Sequence, residues 1–184
     1  MVICAGIDLA AREHRPTGVA VVYASSPFNI EVIYSGILYK DPEIIDVLER
    51  HRVEVVAIDS PLALPGNGRG YRDVDIEMVK RGFHVLPPAW SYMKELTCRA
   101  IALTQQLLSK GFRIIETHPK SALKSSGCSS FSDLLTRVGA KARIRSRHEQ
   151  DAIVAALVCV FHSYGLGLVV KAGDGEIVLL PRLC

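Results

Sequence analysis

Four acidic residues in this 184-residue chain stand where a cation site would need them. Asp8 closes the apolar run from Val2 to Leu9, Asp59 stops the β-branched run Val53 to Ile58, Glu116 ends Phe112 to Glu116, and Asp151 lies in the last helical segment. Neighbouring strands lie roughly 4.8 Å apart, so carboxylates leaving one edge of adjacent parallel strands can share a cation. Like charges held close and partly buried repel one another, and they demand either a compensating cation or raised pKa values. An all-oxygen donor set selects Mg2+ or Mn2+. Two such ions, on the order of 4 Å apart, activate a water and stabilise the leaving oxygen of a phosphodiester. Asp8 is the expected bridging ligand, with Asp59, Glu116 and Asp151 completing the metal set.

His148 precedes Asp151 by three residues and shares its helical face, while Ala152 and Ala155 let that helix approach the sheet closely. His148 is therefore a catalytic candidate that orients the carboxylate, ligates, or protonates a leaving group. His118, just before Pro119, reads more simply as a packing or capping residue. Lys141, Arg143, Arg145 and Arg147 crowd the approach to the last helix against Glu149 alone, a pattern suited to phosphate contact. Arg72 lies with Arg69, Asp73 and Asp75 in a long excursion that either folds over the site to contact substrate or forms local ion pairs. Trp90 and Tyr92, opening a long helix, read as a packing anchor rather than a stacking platform for bases.

The elements that position these residues follow from periodicity. Val2 to Leu9, Thr17 to Tyr23 and Ile30 to Tyr39 predict a three-stranded meander. Asp41 as N-cap and Pro42 at the first helical position open a helix through His51. Val53 to Ile58 reads as a central parallel strand buried on both faces. Residues 61–88 carry repeated Pro and Gly, including Pro65-Gly66-Asn67-Gly68, with a short helix from Asp73 to Arg81. Ser91 to Lys110 predicts a long amphipathic helix stopped by Gly111. Another strand ends at Glu116, Pro119 begins a helix, and Ser125 to Ser130 reads as a polar linker. A helix from Arg147, apolar nearly all round, must be buried. Gly173-Asp174-Gly175 marks a closing hairpin. Handedness and adjacency then predict an α/β fold with a five-stranded mixed sheet in the order 3-2-1-4-5, flanked by helices, with the acids at the carboxyl ends of the parallel strands.

Length and an apolar fraction of 49% predict a single domain over residues 1–184. The net charge of +3 is too small to announce a nucleic-acid partner by itself, so that expectation rests on the local basic run. The cysteines Cys4, Cys98, Cys128, Cys159 and Cys184 show no C-x-x-C pair and read as reduced thiols, Cys4 and Cys159 packing in the core. No secretory leader or membrane-length apolar stretch is visible, which makes a cytoplasmic location, away from membranes, the expectation. The sequence leaves a homodimer open.

Gly6-Ile7-Asp8-Leu9-Ala10, Ala57-Ile58-Asp59-Ser60-Pro61-Leu62, Glu116-Thr117-His118-Pro119 and His148-Glu149-Gln150-Asp151-Ala152 resemble, in order and spacing over almost the whole chain, a family of predicted nucleases with an RNase H-like fold, distant kin of Holliday-junction resolvases. Arg72 with Asp75, Pro87-Pro88 and the closing segment from Gly173 to Pro181 add to the likeness. The resemblance implies a divalent-metal-dependent hydrolase acting on DNA or RNA, with Asp8, Asp59 and Asp151 in the resolvase metal positions and Glu116 as a feature of the predicted-nuclease family. Resolvase-like enzymes usually carry Glu where this chain has the shorter Asp59. Two other readings share the fold: an ATP-binding domain of the actin and sugar-kinase kind, against which no compact Gly-rich turn follows Asp8, and a non-catalytic nucleic-acid-binding protein.

Overall fold

A computed structural model describes every residue of the chain except Asn67, so the Asn67 part of the expected Pro-Gly turn lies outside the described residues. The meander is β1 (Val2–Asp8), β2 (Thr17–Ser26) and β3 (Asn29–Leu38), followed by α1 (Asp41–Arg50), β4 (Val55–Asp59), α2 (Asp73–Lys80), α3 (Ser91–Ser109) and β5 (Arg113–Thr117). The chain then forms α4 (Pro119–Ser126), α5 (Phe131–Arg137), α6 (Arg147–Ser163), β6 (Leu168–Ala172) and β7 (Gly175–Leu179). Pairing is antiparallel through β3-β2-β1, parallel through β1-β4-β5-β7, and antiparallel again at β7-β6.

The sheet therefore has seven strands in the order β3-β2-β1-β4-β5-β7-β6, where the sequence predicted five and a separate hairpin. The hairpin extends the sheet because β5 would otherwise be an open edge with unpaired backbone groups. Thr117 pairs with Val178, and the Thr117 hydroxyl donates to the Val178 carbonyl at 2.7 Å. The hairpin turn also serves α2: the Asp174 carboxylate accepts the backbone N–H groups of Asp73 and Val74 at 2.6 and 3.0 Å, closing the exposed start of that helix.

Two cores flank the sheet. Val2, Cys4, Ala20, Val22 and Ala57 face α6, with α2, α4 and α5 on the same side. Ala5, Ile7, Val19, Val21, Val56 and Ile58 face α1 and α3. The strict alternation along β1 and β4 decides which side each terminal acid takes. Helix α6 sits unusually close to the sheet, because a Cβ on Gly6 would fall 2.0 Å from the Ala152 carbonyl oxygen and one on Gly18 2.1 Å from that of His148.

Several boundaries differ from expectation for local reasons. Helix α1 is capped at Lys40, with the Glu43 carboxylate accepting the N–H groups of Tyr39 and Lys40; Asp41, the expected N-cap, is turned to Arg99 at 2.7 Å. Of the expected polar linker, Ser125 and Ser126 end α4, and Ser130 caps α5, its hydroxyl accepting from the Asp133 N–H. Cys4 and Cys159 are buried as expected, but Cys128 and Cys184 form a disulfide rather than two thiols. It ties residue 184 to the end of α4, where Leu183 and Cys184 already donate to the Ser126 carbonyl. Among the described residues, no helix is long and apolar enough to cross a membrane.

Candidate active site

Register brings three of the four predicted acids to one face. Ile7 pairs with Ile58 across the parallel β1-β4 ladder, so Asp8 and Asp59 end adjacent strands side by side. Both share the parity of the residues that pack on α6, and that helix carries Asp151 one turn in from its start. Ser146 caps α6 by accepting the Glu149 N–H, while the Glu149 carboxylate accepts the N–H of Arg145, the residue before the cap, and together these bonds tie down the helix start that carries His148 and Asp151. The His148 Nδ1 lies 2.5 Å from Asp8 Oδ2, and Arg147 Nε lies 3.8 Å from Asp151 Oδ2. His148, expected to orient Asp151, contacts Asp8 on β1 instead.

The electrostatics are those of acids without a sufficient counter-charge. Burial raises the Asp8 carboxyl above its usual range, and the His148 contact only partly offsets this. Asp59 is pushed well above the usual range, first by burial and then by Asp8 and Asp151, with Lys120 opposing. Asp151 is raised by burial, against the pull of Arg147 and Lys120. Among the described residues, the three-ligand group with donor atoms all within 4.8 Å is Cys128, Asp133 and Cys184, whose sulfurs are bonded to each other. Asp8, Asp59 and Asp151 do not close to that spacing. Their donor chemistry fits a hard divalent ion, which typically takes one or two carboxylates and keeps several waters.

Glu116 lines the same cleft and adds to the charge that raises Asp59, but it reaches it from a different register. It pairs in register with Ile58, not Asp59, and a shift of one residue turns a side chain to the opposite face of a sheet. Its carboxylate accepts Arg72 Nη1 at 2.8 Å, Arg72 Nη2 at 2.5 Å and the Leu62 N–H at 2.9 Å. Arg72 also donates to both Asp75 oxygens, at 2.7 and 3.0 Å, and its side chain is 1% exposed. Of the two roles the sequence offered Arg72, the local ion pair is the one present: four of its five N–H groups go to Asp75 and Glu116, and Glu116, expected in the metal set, has this guanidinium as its close partner. Burial works against the charge on Arg72, but the bonds to Glu116 and Asp75 outweigh it and hold the guanidinium above its ordinary range.

A cleft of about 630 Å³ opens over Asp8, Asp59 and His148, bounded by residues of the β1-β2 loop, the segment after β4 and the start of α3. Lys141, Arg143, Arg145 and Arg147 are exposed on the approach to α6 and do not line it. Arg12 and Arg15, which the sequence gave no reason to choose, do; Arg12 is committed to Glu95 at 2.9 Å. Lys120 was equally unforeseen, one residue beyond a Pro read only as a helix start. Tyr92 and Trp90 are each 61% exposed and so are not the packing anchors expected. His118 borders the cleft with Nδ1 2.7 Å from the Ser121 hydroxyl, and burial followed by Lys120 lowers its pKa to about 4.

A parallel-centred sheet with a leading meander and an acid pair on adjacent central strands defines an RNase H-like fold, and solved structures bear this out. RuvC of T. thermophilus in complex with a Holliday junction substrate superposes with a TM-score of 0.60 at 15% identity, over 90% of this chain and 98% of that one. A second Thermus thermophilus RuvC structure gives a TM-score of 0.56 at 16% identity over the same shares. No protein-family model matches the chain, and no curated protein matches it either.

Proposed function

We propose that the protein is a divalent-metal-dependent nuclease that hydrolyses phosphodiester bonds in DNA or RNA. The observation that carries this reading is the convergence of Asp8, Asp59 and Asp151 beside a cleft with all three carboxyls raised by burial. Uncompensated acids at the carboxyl edge of parallel strands are a standing invitation to a cation. Asp8, Asp59 and Asp151 would hold Mg2+ or Mn2+, which supplies Lewis-acid polarisation of a phosphoryl oxygen and a more acidic water. His148 holds Asp8 through Nδ1 and, on a side chain 47% exposed, offers its other nitrogen to a leaving oxygen. Lys120 and the exposed run from Lys141 to Arg147 supply positive potential that draws a polyanion to an acidic floor.

The fold likeness to RuvC supports nucleic acid as the substrate class, a branched junction included. The ATP-binding alternative gains nothing from the structure, since Gly6 meets the backbone of α6 rather than opening a phosphate turn. The decisive experiment incubates labelled single-stranded, duplex and junction DNA and RNA with protein in Mg2+, Mn2+ or chelator. Metal-dependent cleavage that falls more than about 100-fold in Asp8→Asn is expected, above the loss typical of an outer-shell partner. Identical activity in wild type and Asp8→Asn would remove the basis of the assignment.

A further inference from the structure

The cleft over the acids is more apolar than holding cations requires. Leu86, Tyr92, Met93 and Leu96 form one wall, Arg15 stands at the β1-β2 side, and the carboxylates form the floor. The floor is recessed: the Asp8 side chain is only 16% exposed. A volume of about 630 Å³ is that of a small-ligand site, room for one or two nucleotides but not for a double helix. Tyr92 and Leu86 are exposed on this wall, an arrangement that costs hydration unless a flat apolar partner covers it. Among the described residues Arg15 has no carboxylate within ion-pair distance, unlike Arg12.

From this geometry we infer that the cleft receives an unpaired nucleotide, its base stacked on Tyr92 against the Leu86–Leu96 wall and its phosphate between Arg15 and the acidic floor that would hold the cations. The occupant's identity rests on the phosphodiester reading, but the apolar wall and the exposed ring stand independently of it. Substrates with extrahelical or single-stranded nucleotides are then preferred over continuous duplex.

The test uses the full chain and oligonucleotides carrying 2-aminopurine, first with Ca2+ to follow binding and then with Mn2+ to follow cleavage. Quenching by stacking is expected on the single strand, with at least about tenfold tighter binding than to its duplex. Tyr92→Ala should weaken that binding by about tenfold, within the range of one base–aromatic stack, while Tyr92→Phe retains it. Equal binding of duplex, or Tyr92→Ala binding like wild type, overturns the inference. Cleavage of duplex untouched by Tyr92→Ala would sink this inference and leave the nuclease reading standing. Stacking without cleavage of any substrate would do the reverse.

Discussion

Two acidic clusters occupy the same end of the sheet, and they solve the same electrostatic problem in opposite ways. Asp75 and Glu116 share one buried guanidinium, Arg72, which offsets much of the burial that still holds Glu116 above its usual range. Asp8, Asp59 and Asp151 have only an imidazole, a distant Arg147 and the field of Lys120. The first cluster has a full charge of the opposite sign bonded into it, and the second does not.

Breaking each cluster should have opposite consequences. Arg72→Ala leaves two buried carboxylates unpaired and should cost about 3–5 kcal/mol in urea unfolding, the usual penalty for removing one partner of a buried ion pair. Any metal response surviving in that background would come from the aspartates alone. His148→Ala frees Asp8 from its one close partner and should lower metal-supported cleavage about 10–100-fold, as loss of an outer-shell group does, without a comparable loss of stability. Asp59→Asn removes an uncompensated acid and should stabilise the metal-free protein by about 0.5–2 kcal/mol, while abolishing the rise in melting temperature that Mn2+ gives the wild type. A destabilised metal-free Asp59→Asn protein would erase the contrast between the clusters.

The pH profile sharpens the comparison further. A carboxyl raised in the folded state binds its proton more tightly folded than unfolded, so the metal-free protein should lose stability as pH climbs from the ordinary carboxylate range through the raised values of Asp8, Asp59 and Asp151. Saturating Mn2+ should flatten that arm. His118 works the other way: held neutral to about 4 against an ordinary 6.5, it lets stability drain as pH falls across that window, because the unfolded chain takes the proton first. Melting temperatures measured across pH should therefore show an acid arm that His118→Asn reduces and an alkaline arm that Asp59→Asn reduces, each by a few degrees.

Much of this was legible because it is local or periodic. Asp8 and Asp59 stand out at the ends of β-branched runs, and the His148–Asp151 spacing places both on one turn of a helix whose apolar surround marks it as buried. What the sequence hid is set by register and by distant partners. Whether Glu116 or its neighbour Thr117 faces α6 depends on one residue of strand alignment, and nothing near Glu116 names Arg72, 44 positions away, as its partner. The seventh strand joins β5 through a single residue pair, which leaves no pattern in either segment. Cys128 and Cys184, separated by 56 residues, carry no spacing signature. Helix α5, seven residues behind a serine-rich start, is too short to show a period.

The two glycines beneath α6 carry a consequence for how this centre can fail. Because Gly6 and Gly18 present only hydrogen to the carbonyls of Ala152 and His148, the depth at which the helix rides is set by atoms that take no part in any reaction. A single methyl at either place would lift the helix and draw one carboxylate away from the other two, with every acid still in its place in the chain. Chemistry here is hostage to an absence of side chains, and inspection of the reactive groups alone would pass such a protein as intact.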